Sequence, residues 1–234
     1  MNESDFIASY DPSAFERPSV TVDLVLLTIR DRSLQVLLVE RTEHPFIHQF
    51  ALPGSFVPMD ETLDEAAQRV LRDKAGMPPT FLEQLYTFGD VKRDPRMRVI
   101  SVAYFALLPH SALGHIDPDH RDLATVNFTD GGAGVFTNDG VRLTLPFDHG
   151  QIVATAVDRL RAKLDWSDVA FALLPQEFTL RELQEVHEVI LGRPLNKPAF
   201  RTRMLGTGRL EPTGRQESGH RFRPAELYRL KVTQ

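Results

Sequence analysis

The chain has 234 residues, which is enough for one large domain or two small ones, and 42% of them are hydrophobic. It carries a net charge of -5 and no cysteine, so disulfides and thiolate metal sites are excluded. No apolar run reaches the roughly 18 residues needed to cross a bilayer, and the polar N-terminus lacks the regions of a secretory signal. These features predict a globular protein of the cytoplasm.

The first elements predicted along the chain are a β-hairpin and a helix. Two apolar runs rich in β-branched residues, 20–29 and 34–39, flank a polar turn and predict two paired strands. Further on, Thr62 and Glu65 form the capping-box pattern that starts a helix, and an apolar stripe continues it. Gly76 is placed to end that helix.

The elements expected next are strands and a long helix. Segments 81–88 and 99–108 are predicted as strands, and the second is too continuously apolar to be an exposed edge. The segment 131–140 is rich in Gly, Asn and Asp and is expected to be a turn region. Apolar residues at steps of three and four then predict a helix from about 147 to 164.

The last part of the chain has a different pattern. Thr179 with Glu182 forms a second capping box, and Gly192 ends the helix that it starts. After a short turn, Asn196 caps another helix, and Pro198 lies in the first turn of that helix, where its missing N–H costs little.

Positive charge is concentrated at this end of the chain. From residue 193 onward there are ten Lys or Arg and three Asp or Glu, whereas the remainder has 17 and 29. An acidic body with a basic end indicates that the end meets a polyanion. A solubilising basic tail is the simpler interpretation of the same charge.

Segments 210–213 and 220–223 are expected to pair as two short strands, which gives the order helix, tight turn, basic helix, hairpin. This is the order of a winged helix-turn-helix, in which the second helix enters the major groove and carries long basic side chains. A small helical domain that binds nothing is the alternative. The candidate DNA-contacting residues are Thr179, Asn196, Lys197, Arg201, Arg203, Thr213, Arg215 and His220.

The segment 54–77 resembles the Nudix box, which reads G-x5-E-x7-R-E-U-x-E-E-x-G-U with U a bulky aliphatic residue. The positions that match are Glu61, Arg69, Leu71, Gly76 and Met77, and Ser55, preceded by Gly54, stands where the pattern has its glycine. Strands are expected on both sides of the segment, as the Nudix fold requires.

The box departs from the family at its catalytic positions. Val70 stands where the first helix glutamate belongs, and Asp73 and Lys74 replace the glutamate pair. In the family these glutamates hold divalent cations against a pyrophosphate, and the metal activates water. Valine cannot ligate a cation, and Glu61 with Asp73 is a poor ligand set for magnesium. We therefore expect a retained fold, lost diphosphate hydrolysis, and no required metal or cofactor.

From about residue 20 to 230 the sequence resembles the NrtR family, the Nudix-related transcriptional regulators of NAD metabolism. The stretches that carry the resemblance are 93–96, 100–104, 147–149, 173–175 with 178–180, 195–197 with 200–201, and 223–225 with 227–228. The resemblance implies a homodimeric repressor of NAD biosynthesis or salvage genes that binds a palindromic operator. It also implies that ADP-ribose or a related nucleotide is the effector that releases the DNA.

The predicted architecture is therefore α+β in two domains. A tail, 1–17, precedes a Nudix-like ligand-sensing domain, 18–146, built as an α/β/α sandwich with a mixed sheet. A winged helix-turn-helix domain, 147–234, follows it. A two-fold dimer on a palindrome also follows from geometry, because one winged helix reads only a half-site.

A Nudix cleft without metals still offers a polar mouth to a diphosphate, and arginines suit such a ligand. Lys74 would replace the charge of the metal, and Phe46, Phe50 and Phe56 are candidates to stack on an adenine, although aromatic residues more often pack in a core. The candidate ligand-binding residues are Arg41, Gly54, Ser55, Phe56, Glu61, Lys74, Arg93, Arg96 and Arg98.

Three other functions remain open at this point. The first is an active Nudix ADP-ribose pyrophosphatase with an accessory DNA-binding domain. The second is a regulator of the same architecture that responds to a pentose or its phosphate. The third is a protein-interaction module, which predicts no salt-dependent affinity for DNA.

Overall fold

A computed structural model describes residues 2–75, 81–113, 121–129, 132–217 and 224–231. The chain starts with a short helix, α1 (Glu3–Ser9), and every residue from 2 to 18 is exposed. Within this N-terminal arm, Tyr10 packs on Phe6 and on Phe15, with ring centroids 5.8 and 6.4 Å apart. No helix in the described part of the chain combines the length and the apolar character needed to cross a membrane.

A mixed eight-stranded sheet forms the centre of the first domain. Its main path runs β5-β6-β1-β2-β7-β8, while β3 pairs with β2 and β4 with β1. The β1–β6 pair is parallel and the other pairs are antiparallel. The strands are β1 (Ser19–Arg30), β2 (Ser33–Glu40), β3 (Phe50–Ala51), β4 (Gly54–Phe56), β5 (Phe81–Phe88), β6 (Val99–Leu107), β7 (Arg121–Thr129) and β8 (Gly132–Phe136).

Helices cover the two faces of this sheet and complete the predicted sandwich. On one face, α2 (Leu63–Ala75) buries its apolar stripe, which includes Ala66, Ala67 and Leu71, against β1 and β6. On the other face, α3 (His149–Lys163) packs on β8, β5 and β1. Each helix therefore turns its apolar side to the sheet and its polar side to solvent, as its periodicity predicts.

The second domain is a winged helix. Two helices, α4 (Leu180–Leu191) and α5 (Lys197–Gly206), are followed by β10 (Leu210–Gln216) and β11 (Glu226–Leu230). With β9 (Phe178–Thr179) these strands form a small sheet in the order β10-β11-β9. The fold class, an α+β chain with a Nudix sandwich before a winged helix, is confirmed.

Two local expectations are wrong. The turn region expected over 131–140 contains strand β8, since Val135 is buried and continues the sheet beside β7. The expected pairing of 210–213 with 220–223 is replaced by pairing with β11, where Leu210 lies opposite Leu230. Tyr228 in β11 supplies the buried side chain that anchors this pairing, whereas 218–223 lie outside the described residues.

The two domains share one continuous core. Phe105 of the sheet, Leu160 of α3 and Phe178 and Leu183 of the winged helix belong to the same cluster of buried side chains. Helix α3 therefore packs against both domains, and the domain boundary expected after residue 146 stays a prediction.

Replacing Gly192 by alanine should lower the free energy of unfolding by about 1–3 kcal/mol. Gly192 ends α4 in the left-handed region at φ 68°, and a Cβ there would lie 2.9 Å from the ring of Phe128. Urea denaturation measures the change. Gly206→Ala at the end of α5 is the matched control, because its Cβ would meet nothing within 4 Å. Equal stability of the two variants would contradict this account.

Candidate functional site

The residues of the Nudix box that match the family hold its loop together. Arg69 on α2 donates to the carboxylate of Glu61 through Nε and Nη2, at 2.9 and 2.7 Å. The same Nη2 reaches the Ser55 hydroxyl at 3.1 Å and the carbonyl of Phe56 at 3.4 Å. Hydrogen bonding to this guanidinium lowers the pKa of Glu61. Glu61 is thus already paired, and its main role here is to brace the loop between β4 and α2.

Two of the metal-binding positions of the box, Val70 and Asp73, lie in the described part of α2. Val70 is 3% exposed and packs among the apolar side chains between α2 and the sheet, so it offers no oxygen ligand. Asp73 is exposed on the same helix. Across the described residues there is no group of three or more His, Asp or Glu side chains that could hold a metal ion. The residues present therefore do not fit the divalent cations on which Nudix hydrolysis depends.

A buried ion-pair network lies beside the box loop. The Arg93 side chain is 4% exposed and donates to both oxygens of Asp148, at 2.9 and 2.7 Å, and to Asp23 at 3.2 Å. Ser101 donates to the same Asp23 oxygen at 2.5 Å. Gly54 is required next to it, because a Cβ there would lie 2.3 Å from the other Asp23 oxygen. A buried charge is stable only when it is paired in this way.

His149 joins this network to the box loop. Its Nδ1 accepts a hydrogen bond from the backbone N–H of Leu52 at 3.0 Å, so Nε2 carries the proton. Nε2 lies 3.7 Å from Asp23. Burial lowers the pKa of His149, although Asp23 and Asp148 act in the opposite direction. The ring is therefore a neutral connector between Leu52, two residues before Gly54, and the first turn of α3.

Two arginines and two phenylalanines form a basic, aromatic rim above the network. The Arg96 guanidinium lies 5.9 Å from the ring centre of Phe56, and Arg41 lies 5.0 Å from that of Phe147. Burial, and after it the charge of Arg96, lowers the pKa of Arg41. Arg96 also pairs with Asp94 at 2.8 Å, yet its side chain remains 40% exposed. Such a rim suits an anionic ligand with a flat ring.

An open cavity of about 850 Å³ adjoins this rim. Phe46 and Phe147 meet edge to face in its wall, with ring centroids 5.0 Å apart. The wall is mostly apolar, and its polar groups include Lys92 and Arg93. An apolar cavity with a few charged groups is the usual form of a nucleotide-sized site. Its lining residues are Phe46, His48, Gln49, Phe50, Lys92, Arg93, Pro95 and 143–147.

The structure brings most of the ligand-binding candidates to this region, but some of their side chains are already bound within the protein. Arg93 is consumed by two carboxylates, and Arg98 donates to the carbonyls of Gly89 and Asp90 at 2.9 Å each. Phe56 is 42% exposed at the rim. The side chain of Lys74, like Gly76 and Met77, lies outside the described residues. The roles of these candidates in ligand binding stay predictions.

Sequence reasoning missed the acidic half of the site. Asp23 interrupts an apolar strand, which is an expensive position for an unpaired carboxylate. Asp148 and His149 follow Phe147, which adopts a positive φ of 54°. A charged residue inside a buried strand was the available signal for a buried partner, but the sequence gives no sign of which arginine would supply it.

In the winged helix, two caps fix the helices that face DNA in this fold. Thr179 accepts from the backbone of Glu182 at 3.1 Å, and the Glu182 side chain accepts from the backbone of Thr179 at 2.7 Å. Asn196 caps α5 by accepting from Ala199 at 3.0 Å. Thr179 is 1% exposed, so its side chain caps α4 and is not itself accessible to DNA.

The exposed side of α5 is basic, while its inner side is apolar. Lys197, Arg201 and Arg203 are exposed, whereas Phe200 is buried and meets His187 edge to face at 5.0 Å. Arg203 reaches Asp165 at 3.1 Å. A basic face carried on a helix that an apolar residue anchors is what insertion into the major groove requires.

A groove of about 720 Å³ separates α5 from the wing, which is the hairpin of β10 and β11. Lys197 and Arg201 line one side of it and Arg215 the other, and Arg215 also lies 3.4 Å from Glu177. Thr213 donates to the carbonyl of Leu227 at 3.0 Å and so stabilises the wing. His220 lies outside the described residues. The individual DNA contacts stay predictions.

His149→Gln should weaken the dependence of stability on pH between about 7 and 5. The neutral, buried His149 has a lowered pKa, so in this pH range its ring binds a proton in the unfolded state but stays neutral in the folded state. The contribution of His149 to the free energy of unfolding is therefore complete near pH 7. It decreases as the pH falls, with a slope approaching about 1.4 kcal/mol per pH unit. Gln can still accept from Leu52 but does not titrate. Urea denaturation at several pH values compares the two proteins, and parallel curves would refute the assignment.

Comparison with known proteins agrees with both halves of this geometry. A family model described as the NUDIX domain matches residues 18–136, and one described as the NrtR DNA-binding winged helix domain matches residues 170–230. A relative from Acinetobacter baylyi, named ADPR responsive transcriptional repressor NtrR, is 35% identical over 233 residues. That match covers 99% of this chain and 89% of the relative.

Solved structures give the same assignment. Shewanella oneidensis NrtR in complex with a 27mer DNA is 36% identical with a TM-score of 0.77, covering 91% of this chain and 93% of that one. The NUDIX domain of the same protein in complex with ADP ribose is 36% identical with a TM-score of 0.55, covering 68% of this chain and 99% of that one. A Nudix sandwich and a basic winged helix occur together in one chain, which belongs to the NrtR family of transcriptional regulators.

Proposed function

We propose that this chain is a DNA-binding transcriptional repressor of NAD biosynthesis or salvage genes, whose Nudix domain senses ADP-ribose or a related nucleotide. The observation that carries the proposal is the pairing of a basic recognition helix, α5, with a Nudix domain whose metal position is the buried Val70. The names of the relatives from Acinetobacter and Shewanella support it, since they include an ADPR responsive repressor and complexes with DNA and with ADP ribose.

The ligand site in this proposal is the basic, aromatic rim with the cavity beside it. Arg41 and Arg96 are the arginines placed to meet the diphosphate, because they lie at the rim, whereas the Arg93 side chain is buried between Asp23 and Asp148. An aromatic wall that includes Phe46 and Phe147 suits the adenine or a ribose face. Gly54, Ser55, Phe56 and Glu61 shape the loop below the ligand, while Lys74 and Arg98 keep only their sequence-based roles as candidates.

The DNA site in this proposal is α5 with the wing. Lys197, Arg201 and Arg203 face the major groove, and Arg215 reaches the backbone beside it, while Thr179, Asn196 and Thr213 hold these elements in place. His220 keeps its sequence-based role as a candidate DNA contact. One winged helix reads a half-site, so a homodimer would bind a palindromic operator in the cytoplasm. The exposed aromatic side chains of the N-terminal arm, such as Phe6 at 54% and Phe15 at 63%, suit contact with a second chain.

An effector releases DNA when it favours a dimer arrangement in which the two winged helices no longer match the half-sites. Such a population shift requires that the ligand bind one arrangement more tightly, by several kcal/mol for a nearly complete release. An active pyrophosphatase with an accessory DNA-binding domain is the competing function. A sugar-responsive regulator is a variant of the proposed repressor that differs only in its effector.

Lys197→Ala and Arg201→Ala should each weaken operator binding by about 5- to 150-fold, because each removes a cationic contact worth about 1–3 kcal/mol. The slope of log affinity against log salt should fall by about one for a lost phosphate contact. Fluorescence anisotropy with a labelled operator measures both quantities. Arg30→Ala, an exposed base on β1, is the control and should leave affinity unchanged. Wild-type affinity in both α5 variants would exclude α5 as the DNA-reading helix.

Millimolar ADP-ribose should lower the operator affinity of the wild-type protein by about tenfold or more, and a gel-shift titration measures this. AMP and ribose 5-phosphate in parallel titrations distinguish a nucleotide sensor from a sugar sensor. Recovery of intact ADP-ribose after incubation with Mg²⁺ or Mn²⁺ distinguishes the sensor from a hydrolase. Unchanged operator affinity would reject the effector, and turnover abolished by Glu61→Gln would establish the hydrolase instead.

A further inference from the structure

Helix α3 is attached at its first turn to the candidate ligand site. Asp148, which precedes the helix, binds the Arg93 guanidinium through both oxygens, and Arg93 lines the cavity. His149, the first helical residue, accepts from the backbone of Leu52 in the loop that leads to Gly54. Any ligand that moves this loop or competes for Arg93 therefore acts directly on the start of α3.

The last turn of α3 is attached to the DNA-binding domain. Arg161 donates through Nε to the carbonyl of Ile190 at 2.9 Å and through Nη2 to that of Leu191 at 3.3 Å. These are the final carbonyls of α4, which the helix itself leaves without partners. The guanidinium also lies 3.5 Å from the ring centre of Phe128 on β7. Arg161 thus holds the end of α4, a few residues before the cap of α5.

The helix between these two attachments is a rigid body. His149 and Arg161 are twelve residues apart, which corresponds to about 18 Å along a helix. The inner face of this stretch is fully buried, so the helix cannot bend locally without disturbing the core. Its fully buried residues are Ile152, Val153, Ala156, Val157 and Leu160.

We propose that Arg161 is a positioning residue that couples ligand occupancy to the orientation of α5, with α3 as the connecting element. The proposal rests on the function proposed above and specifies how its two sites communicate. A shift at Asp148 and His149 moves α3 as a unit, and Arg161 carries the shift to the end of α4 and the turn before Asn196. Allosteric coupling requires an element that responds to both sites, and α3 contacts both of them.

The test is Arg161→Gln in the full-length chain, with Arg159→Gln as the matched control. Arg159 lies on the same helix but contacts Glu83 at 3.5 Å and the carbonyl of Leu85 at 3.1 Å, both in the Nudix domain. Calorimetry gives the ADP-ribose affinity, and anisotropy gives the operator affinity with and without ADP-ribose. Arg161→Gln should retain both separate affinities within about threefold and lose the effect of one ligand on the other, whereas Arg159→Gln should keep it.

A second pair of variants covers the case in which Arg161→Gln is unstable. Arg161→Lys keeps the charge but loses the planar, two-pronged geometry, and Phe128→Leu removes the ring beneath it. Both should reduce the coupling to a value between those of wild type and Arg161→Gln. Full coupling in all three variants would overturn the proposal, as would loss of DNA binding without ligand. No effect of ADP-ribose on wild-type protein would instead reject the proposed function, and the coupling with it.

Discussion

The buried pairing of Arg93 with Asp23 and Asp148 is the interaction on which the rest of the site depends. Its three residues come from the loop after β5, from β1 and from the start of α3, so the pairing fixes three separate elements at one point. An unpaired charge in this environment would cost several kcal/mol, and removal of one partner would leave the others uncompensated. Asp23 also restricts two neighbouring positions. Gly54 has no room for a Cβ beside it, and Ser101 donates a hydrogen bond to it.

This pairing also changes which residues are available to a ligand. Arg93 looks like a phosphate partner in the sequence, but its charge is balanced before any ligand arrives. At the mouth, Arg41 lies near the ring of Phe147, and Arg96, although paired with Asp94, keeps its side chain 40% exposed near the ring of Phe56. The Glu61–Arg69 pair, retained from the Nudix box, keeps its loop in shape. Val70 offers no oxygen ligand while the loop is retained, an arrangement that suits ligand binding.

Much of the fold follows from local sequence signals, while the site does not. The capping boxes at Thr62 and Thr179 and the apolar periodicity of α3 place helices correctly, because caps and faces are set by neighbouring residues. Strand β8 escapes this reasoning, since its glycines indicate a turn and only its pairing with β7 makes it a strand. The same limit applies to Asp23, 70 residues from Arg93 in sequence: long-range pairing of charges leaves no trace in spacing.

Two polar contacts with α4, made by Arg32 and Arg161, differ in how much they can stabilise its position. Arg32, on the turn between β1 and β2, reaches Glu185 and Glu188 on α4 at 3.5 and 3.7 Å, but its side chain is 68% exposed. Exposed ion pairs of this kind contribute little and are screened by salt. Arg161 instead binds backbone carbonyls and an aromatic face, and burial lowers its pKa, so water competes less for its donors. Of these two polar contacts, the one made by Arg161 on α3 therefore holds the end of α4 more firmly than the one made by Arg32.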